Sequence, residues 1–157
     1  YVILMLEKEF IVKTTWFSES KEDTFSNSKT HNVNINGKES LIVSAAKEFK
    51  GDKTKHNPED LFLSALSSCH MMSYMYLCEK NNINLINYTD ETSGTLVVKP
   101  DGSGAFVSVV LCPIVTILEK NKIDLAISLH KEANRLCFIA NSSSVPITHK
   151  PQIQIAK

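Results

Sequence analysis

Residues 57–74 read NPEDLFLSALSSCHMMSY, and the rest of the chain is best read outward from this stretch. Asn57 can cap a helix with its side-chain oxygen, Pro58 suits the first helical position, and Glu59 and Asp60 put carboxylates at the positive end of the helix dipole. The pattern predicts a helix running to about Lys80, where Asn81-Asn82 ends it; at ~1.5 Å per residue it would be roughly 35 Å long. Apolar or small residues fall on nearly every face, as expected of a helix buried on most sides. Ser64, Ala65, Ser67 and Ser68 would let another backbone approach closely. The longest run free of Asp, Glu, Lys and Arg, Leu61–Cys78, lies inside this helix. It carries four serines and His70 and falls short of the ~20 predominantly apolar residues of a membrane span. A buried central helix is the reading.

On the N-terminal side, Glu9–Trp16 (EFIVKTTW) is rich in β-branched and aromatic residues and predicts a strand, followed by a polar loop. Thr30–Ile35 and Ser40–Ala45 flank Asn36-Gly37, a hairpin turn signal. The charged segment Lys47–His56 reads as loop. On the C-terminal side, Asn84–Lys99 and Gly104–Leu118 predict two long strands joined by the turn Pro100-Asp101-Gly102-Ser103. Asp124–Asn141 predicts a second helix, with Ala126, His130, Ala133, Cys137 and Ala140 on one stripe. Ser142–Ser144 break it, and Val145–Ile155 reads as an edge strand interrupted by Pro151. Strands, long helix, strands, helix and strand make an α+β order.

The 157 residues suffice for one domain and are few for two. An apolar fraction of 43% and a charged fraction of 22% are those of an ordinary globular protein. Seventeen basic residues balance seventeen acidic ones, so no net field draws the chain to nucleic acid or anionic lipid. Among the basic residues only Arg135 is an arginine. The short apolar run Tyr1–Met5 does not suit a secretory signal; Met5 suits a translation start, and residues 1–4 are left out of the fold reasoning. Cys69, Cys78, Cys112 and Cys137 form no CxxC pair, which fits free thiols in a cytoplasmic protein better than the disulfide framework of a secreted one. The His and Cys spacings match no zinc cluster, so no metal is expected.

A cysteine on a helix is either a small packing hydrophobe or a reactive thiol. Cys78 lies nine residues from Cys69, about 180° around the helix, and is expected in the core; Cys112, before Pro113, is also expected to be structural. His70 is ~100° around from Cys69 and suits a hydrogen-bonded packing role, while His31 and His130 are further candidates for lining a site. Phe62, Leu66, Met72, Met75 and Phe138 could wall an apolar cleft near Cys69, or serve as core or dimer contacts.

Asn57–Tyr74 taken with His130–Pro146 (HKEANRLCFIANSSSVP) resembles the OsmC/Ohr family (osmotically inducible protein C and organic hydroperoxide resistance protein). The features that carry the resemblance are the NPE helix start with a cysteine ten residues beyond Glu59, and a second cysteine late in the chain on another helix. It spans nearly the whole chain from about residue 9, and the SSCHM and LCFIANS forms look like one subgroup. The resemblance implies two β-sheets packed around a long central helix and a second helix, in an intertwined homodimer. It also implies a thiol-dependent peroxidase acting on organic hydroperoxides. In that scheme Cys69 attacks as thiolate and becomes a sulfenic acid, Cys137 condenses with it to a disulfide, and an external dithiol, lipoyl-linked in members of the family, restores both thiols. No bound cofactor is implied.

Glu59 is separated from Cys69 by roughly 15 Å of helix, so it would act from a partner chain across a two-fold axis, or else serve only as a helix-dipole carboxylate. The family typically has an arginine in its N-terminal region bridging thiolate and glutamate. This chain has none there; Lys29 occupies the region and supplies charge but no planar fork. That departure keeps open a non-turnover redox-sensing or binding protein on the same fold. A hydrolase using Cys69 with a histidine is a third class.

Overall fold

The computed structural model describes residues 5–17 and 28–157. Residues 1–4, with the apolar run and start reading attached to them, and the polar loop at 18–27 lie outside the described residues. The chain divides into two compact units, Tyr1–Leu61 and Phe62–Lys157.

In the first unit β1 (Lys13–Thr15), β2 (His31–Asn34) and β3 (Leu41–Val43) form an antiparallel sheet in that order. The strand expected over Glu9–Trp16 is confined to its last residues. Asn36-Gly37 turns the chain between β2 and β3 with Gly37 at φ 76°, the left-handed region that glycine enters without a Cβ penalty. The expected loop 47–56 contains one 3-10 turn, Lys47–Phe49, and is tied back where His56 bridges Val43.

Helix α1 (Pro58–Lys80) begins at the expected residue. The Asn57 side-chain oxygen accepts the Asp60 N–H at 2.8 Å, and its amide donates to the Asp60 carboxylate at 2.7 Å. At the other end Asn82 takes a left-handed φ of 52°, which stops the helix, and Lys122 donates to the freed Asn81 and Asn82 carbonyls.

The second unit contains two mixed sheets, β4 (Leu85–Asp90), β7 (Pro113–Ile117), β9 (Gln152–Ile155) and β5 (Ser93–Val98), β6 (Gly104–Leu111), β8 (Ile147–His149), each in the order given. The two long strands of the expected hairpin are therefore each broken in two. The Asp90 carboxylate accepts the Cys112 N–H at 2.8 Å and the Thr92 hydroxyl at 2.6 Å, so the ladder is interrupted on both strands at one level. The inner halves β5 and β6 pair in one sheet and the outer halves β4 and β7 in the other. The final edge strand is likewise two, β8 and β9, parallel to β6 and β7.

Helix α2 (Ile123–Leu136) stops one residue before Cys137, which is extended (φ −72°, ψ 111°), and a short α3 (Phe138–Asn141) follows. The single helix expected to Asn141 is thus two. The Asn141 amide donates to the Arg135 carbonyl at 2.9 Å, satisfying an acceptor left free by the break.

One core joins Tyr74, Leu77 and Cys78 of α1, Val115 and Ile117 of β7, and Ala126, Leu129 and Ala133 of α2. A second joins Leu66 to Val109 and Leu111 of β6, with Phe62, Leu63 and Ile139 against it. The buried residues Leu66, His70, Tyr74, Leu77 and Cys78 lie on one stripe of α1. Burial on most sides, expected from the pattern, does not hold within one chain: Met72 is 58% exposed, and Met75 and Tyr76 are exposed with it. The α+β order stands. No helix among the described residues is long and apolar enough to cross a membrane.

Candidate active site

Cys69 projects from α1 and is half-buried; Cys137, at the break after α2, is fully buried. The two thiols are close enough that the Cys69 sulfur raises the Cys137 thiol. The break decides how Cys137 is presented. Its backbone N–H donates to the Asn134 carbonyl at 3.2 Å, which fixes it to the end of α2, and its sulfur accepts the Ala140 N–H at 3.4 Å as the cap of α3. Burial first, and then the Cys69 sulfur, push the Cys137 thiol up to about 11 against the opposing Ala140 N–H. At neutral pH Cys137 is therefore a neutral thiol, able to donate its proton.

A cleft of about 380 Å³ opens beside Cys69, lined with Met72, Ser73, Tyr76, Leu136 and Phe138. Of the residues expected to wall it, Met72 and Phe138 are there, Phe138 with 81% of its surface exposed. Phe62 and Leu66 are elsewhere: Phe62 stacks on Phe106 at 5.2 Å and Leu66 is in the second core. Met75 lines a separate surface depression. Ser73, Tyr76 and Leu136 were missed by sequence reasoning. Tyr76 sits seven residues after Cys69 and Ser73 four, so helical spacing from Cys69 carried the signal for both.

Glu59 occupies the first turn of α1, and its Oε2 atom is buried with no hydrogen-bond partner among the described residues. The Lys29 ammonium donates to the Phe49 carbonyl at 2.6 Å. His31 bonds the Lys29 carbonyl at 2.8 Å. Arg135, the one arginine, pairs with Glu132 on the exposed side of α2. Cys78 is in the first core, where burial pushes its thiol up, and the Cys112 backbone is held by Asp90. Among the described residues no cluster of His, Cys, Asp or Glu is arranged to hold a metal ion.

Behind the thiols lies a cluster that the sequence does not announce. His70 Nε2 and His130 Nδ1 are 3.0 Å apart, His149 from β8 stacks on His70 at 4.5 Å, and Tyr74 stacks on His130 at 4.0 Å. His70 is 1% exposed and His130 2%. Burial, then the neighbouring imidazoles, push His70 down to about 4 and His130 down to about 3. His149 is also lowered by burial, while Asp90 opposes the shift in His70 and His149. The expected packing role of His70 is the one found.

The family model described as OsmC-like protein matches residues 51–150. Among solved structures, the chain is similar to an OsmC-like protein of unknown function from Vibrio cholerae, 26% identical, with a TM-score of 0.82, covering 96% of this chain and 100% of that one. It is also similar in fold to an OsmC-like protein from Mycoplasma pneumoniae, 11% identical, TM-score 0.71, covering 97% of this chain and 100% of that one. A third likeness is to an organic hydroperoxide resistance protein OsmC from Legionella pneumophila, 16% identical, TM-score 0.68, covering 96% and 99%. No curated protein matches the chain.

Proposed function

The chain belongs to the OsmC-like family, and from that premise we propose that it is a thiol-dependent peroxidase that reduces organic hydroperoxides to alcohols. The observation that carries the reading is the closeness of two thiols, Cys69 of α1 at the wall of an apolar cleft and Cys137 buried at the break after α2. In the proposed cycle the Cys69 thiolate attacks the distal oxygen of the hydroperoxide. The O–O bond breaks, the alkoxide takes up a proton and leaves as alcohol, and Cys69 becomes a sulfenic acid, oxidised by two electrons as the peroxide is reduced. The Cys137 sulfur then bonds to the Cys69 sulfur, and its proton leaves with the sulfenic hydroxyl as water. An external dithiol returns both residues to thiols. A buried Cys137 that stays protonated until Cys69 is oxidised suits the resolving role rather than the attacking one.

Met72, Tyr76, Leu136 and Phe138 offer an alkyl or aryl tail apolar surface that hydrogen peroxide cannot use, which favours organic substrates. The roughly 15 Å of helix between Glu59 and Cys69 supports a homodimer in which Glu59 serves the thiol of a second chain. Four free thiols suit a reducing, cytoplasmic compartment.

The test is consumption of cumene hydroperoxide by the purified protein with dihydrolipoamide as reductant, in the parent and in Cys69→Ser. Steady turnover in the parent alone is expected; equal consumption by the two proteins refutes the assignment. One observation favours a second reading, a redox sensor that oxidises once without turning over. Lys29, offered in place of the family's arginine, is bound to the Phe49 carbonyl, and Arg135 is bound to Glu132. A stoichiometric Cys69–Cys137 disulfide with no steady consumption would select that reading.

A further inference from the structure

The polar contacts between α1 and α2 climb one helix as they descend the other. Lys122 reaches the Asn81 and Asn82 carbonyls, the Tyr74 hydroxyl donates to the Ala126 carbonyl at 3.0 Å, and His70 meets His130 at 3.0 Å, with Cys69 and Cys137 close to each other beyond them. The imidazole pair is therefore the last directional contact before the sulfurs. His70 directly follows Cys69 on a continuous helix, and His130 shares with Cys137 the buried stripe of Ala126, His130, Ala133 and Cys137. The apolar packing between the helices is non-directional and tolerates small sliding; a hydrogen bond in a buried, low-dielectric site does not.

The rings are held for this purpose. His130 is stacked on Tyr74 and meets His70 edge to edge through the hydrogen bond, and His70 is stacked on His149. Both imidazoles are neutral at pH 7 because burial disfavours their charged forms, so one ring nitrogen can donate and the other accept. Neither is exposed enough for bulk water to replace the partner.

Resting on the two-thiol reading above, we propose that the His70–His130 hydrogen bond is a positioning tie that sets how closely Cys69 and Cys137 meet, and thereby the reduction potential of their disulfide. The equilibrium between a protein disulfide and an external dithiol measures the effective concentration of one thiol at the other, which falls when the helices lose their register.

The experiment equilibrates the full chain with mixtures of reduced and oxidised dithiothreitol and quantifies the Cys69–Cys137 disulfide by mass, in the parent, His130→Leu and His130→Asn. Asparagine places a polar atom where Nδ1 stood; leucine does not. The His130→Leu equilibrium is expected to move about tenfold toward the dithiol, a potential about 30 mV less negative, and His130→Asn to return toward the parent. After one equivalent of cumene hydroperoxide, His130→Leu is also expected to accumulate dimedone-trapped sulfenic acid on Cys69. A purely structural role would lower unfolding stability without moving the potential. Because His130→Leu strands a buried His70 nitrogen, the His70→Leu/His130→Leu pair, which removes both polar groups, is measured beside it. A folded variant of either kind with the parent's equilibrium constant overturns the proposal. A parent that forms no peroxide-dependent Cys69–Cys137 disulfide overturns the two-thiol reading itself.

Discussion

Lowering the pH from 7 to 5 should destabilise this protein through His70 and His130 before any carboxylate contributes. Both imidazoles bind protons less readily folded than unfolded: His70 falls from its ordinary 6.5 to about 4 and His130 to about 3. A lowered folded value means the unfolded chain takes up the protons first. The stability these residues contribute is therefore complete above about pH 6.5 and is lost as the pH falls toward 4. At pH 5 the unfolded histidines are almost fully protonated and the folded ones almost not at all, which costs about 2 kcal/mol for each, or about 4 kcal/mol together. That is a large part of the 5–15 kcal/mol of a typical domain. Asp52, Asp101, Glu119 and Glu132 are held below the usual carboxylate range by hydrogen-bonding neighbours, so their contribution is lost only at lower pH. The assay is urea unfolding at pH 8, 7, 6 and 5; with a slope of about 2 kcal/mol per molar, the midpoint should drop by about 2 M between pH 7 and 5. The His70→Gln/His130→Asn double variant keeps polar atoms near both positions without titrating, and its midpoint should fall much less over that interval, by the part that the lowered His149 contributes. A parent midpoint that stays constant to pH 5, or a double variant that falls as steeply, would refute the argument.

Gly94→Ala should cost about 1–3 kcal/mol, because a Cβ there would come within 2.8 Å of Leu63 Cδ2 and Phe106 Cε1; thermal unfolding reads it, and an unchanged midpoint would show that those side chains yield freely. Asn57→Ala removes the cap that accepts the Asp60 N–H and should lower stability by about 1 kcal/mol, read by chemical unfolding, whereas Asn57→Ser should recover most of it.

The start of α1 was legible because its signals are local: a capping amide, a proline and two carboxylates act within one turn of the residues they organise. The turn at Asn36-Gly37 was legible for the same reason. The breaks in the long strands were not, since they depend on Asp90 reaching the Cys112 backbone across the sheet. Nor was the stop before Cys137, because the residues around it carry no helix breaker and the periodic stripe continues through Ala140. Cys69 and Cys137 were legible as a pair only through the family resemblance; no spacing rule connects thiols so far apart in sequence. His70, His130 and His149 come from two helices and a strand, so nothing in the linear order could bring all three together. The cleft was half legible: Met72 and Phe138 were named for it, while Phe62 and Leu66 were claimed by the packing of β6.

The two C-terminal strands bear on how the second unit is made. β8 and β9 fill the edge of each sheet by parallel pairing with β6 and β7, which precede them by the whole α2–α3 segment. During synthesis neither sheet can be completed until residues 147–155 have left the ribosome. Until then β6 and β7 each present an unpaired edge, the kind of surface that recruits strands from other chains. A nascent chain stalled before Ile147 would therefore hold both strand pairs, β4–β7 and β5–β6, ready to associate with neighbours, and chaperone dependence should be concentrated in that last interval of translation.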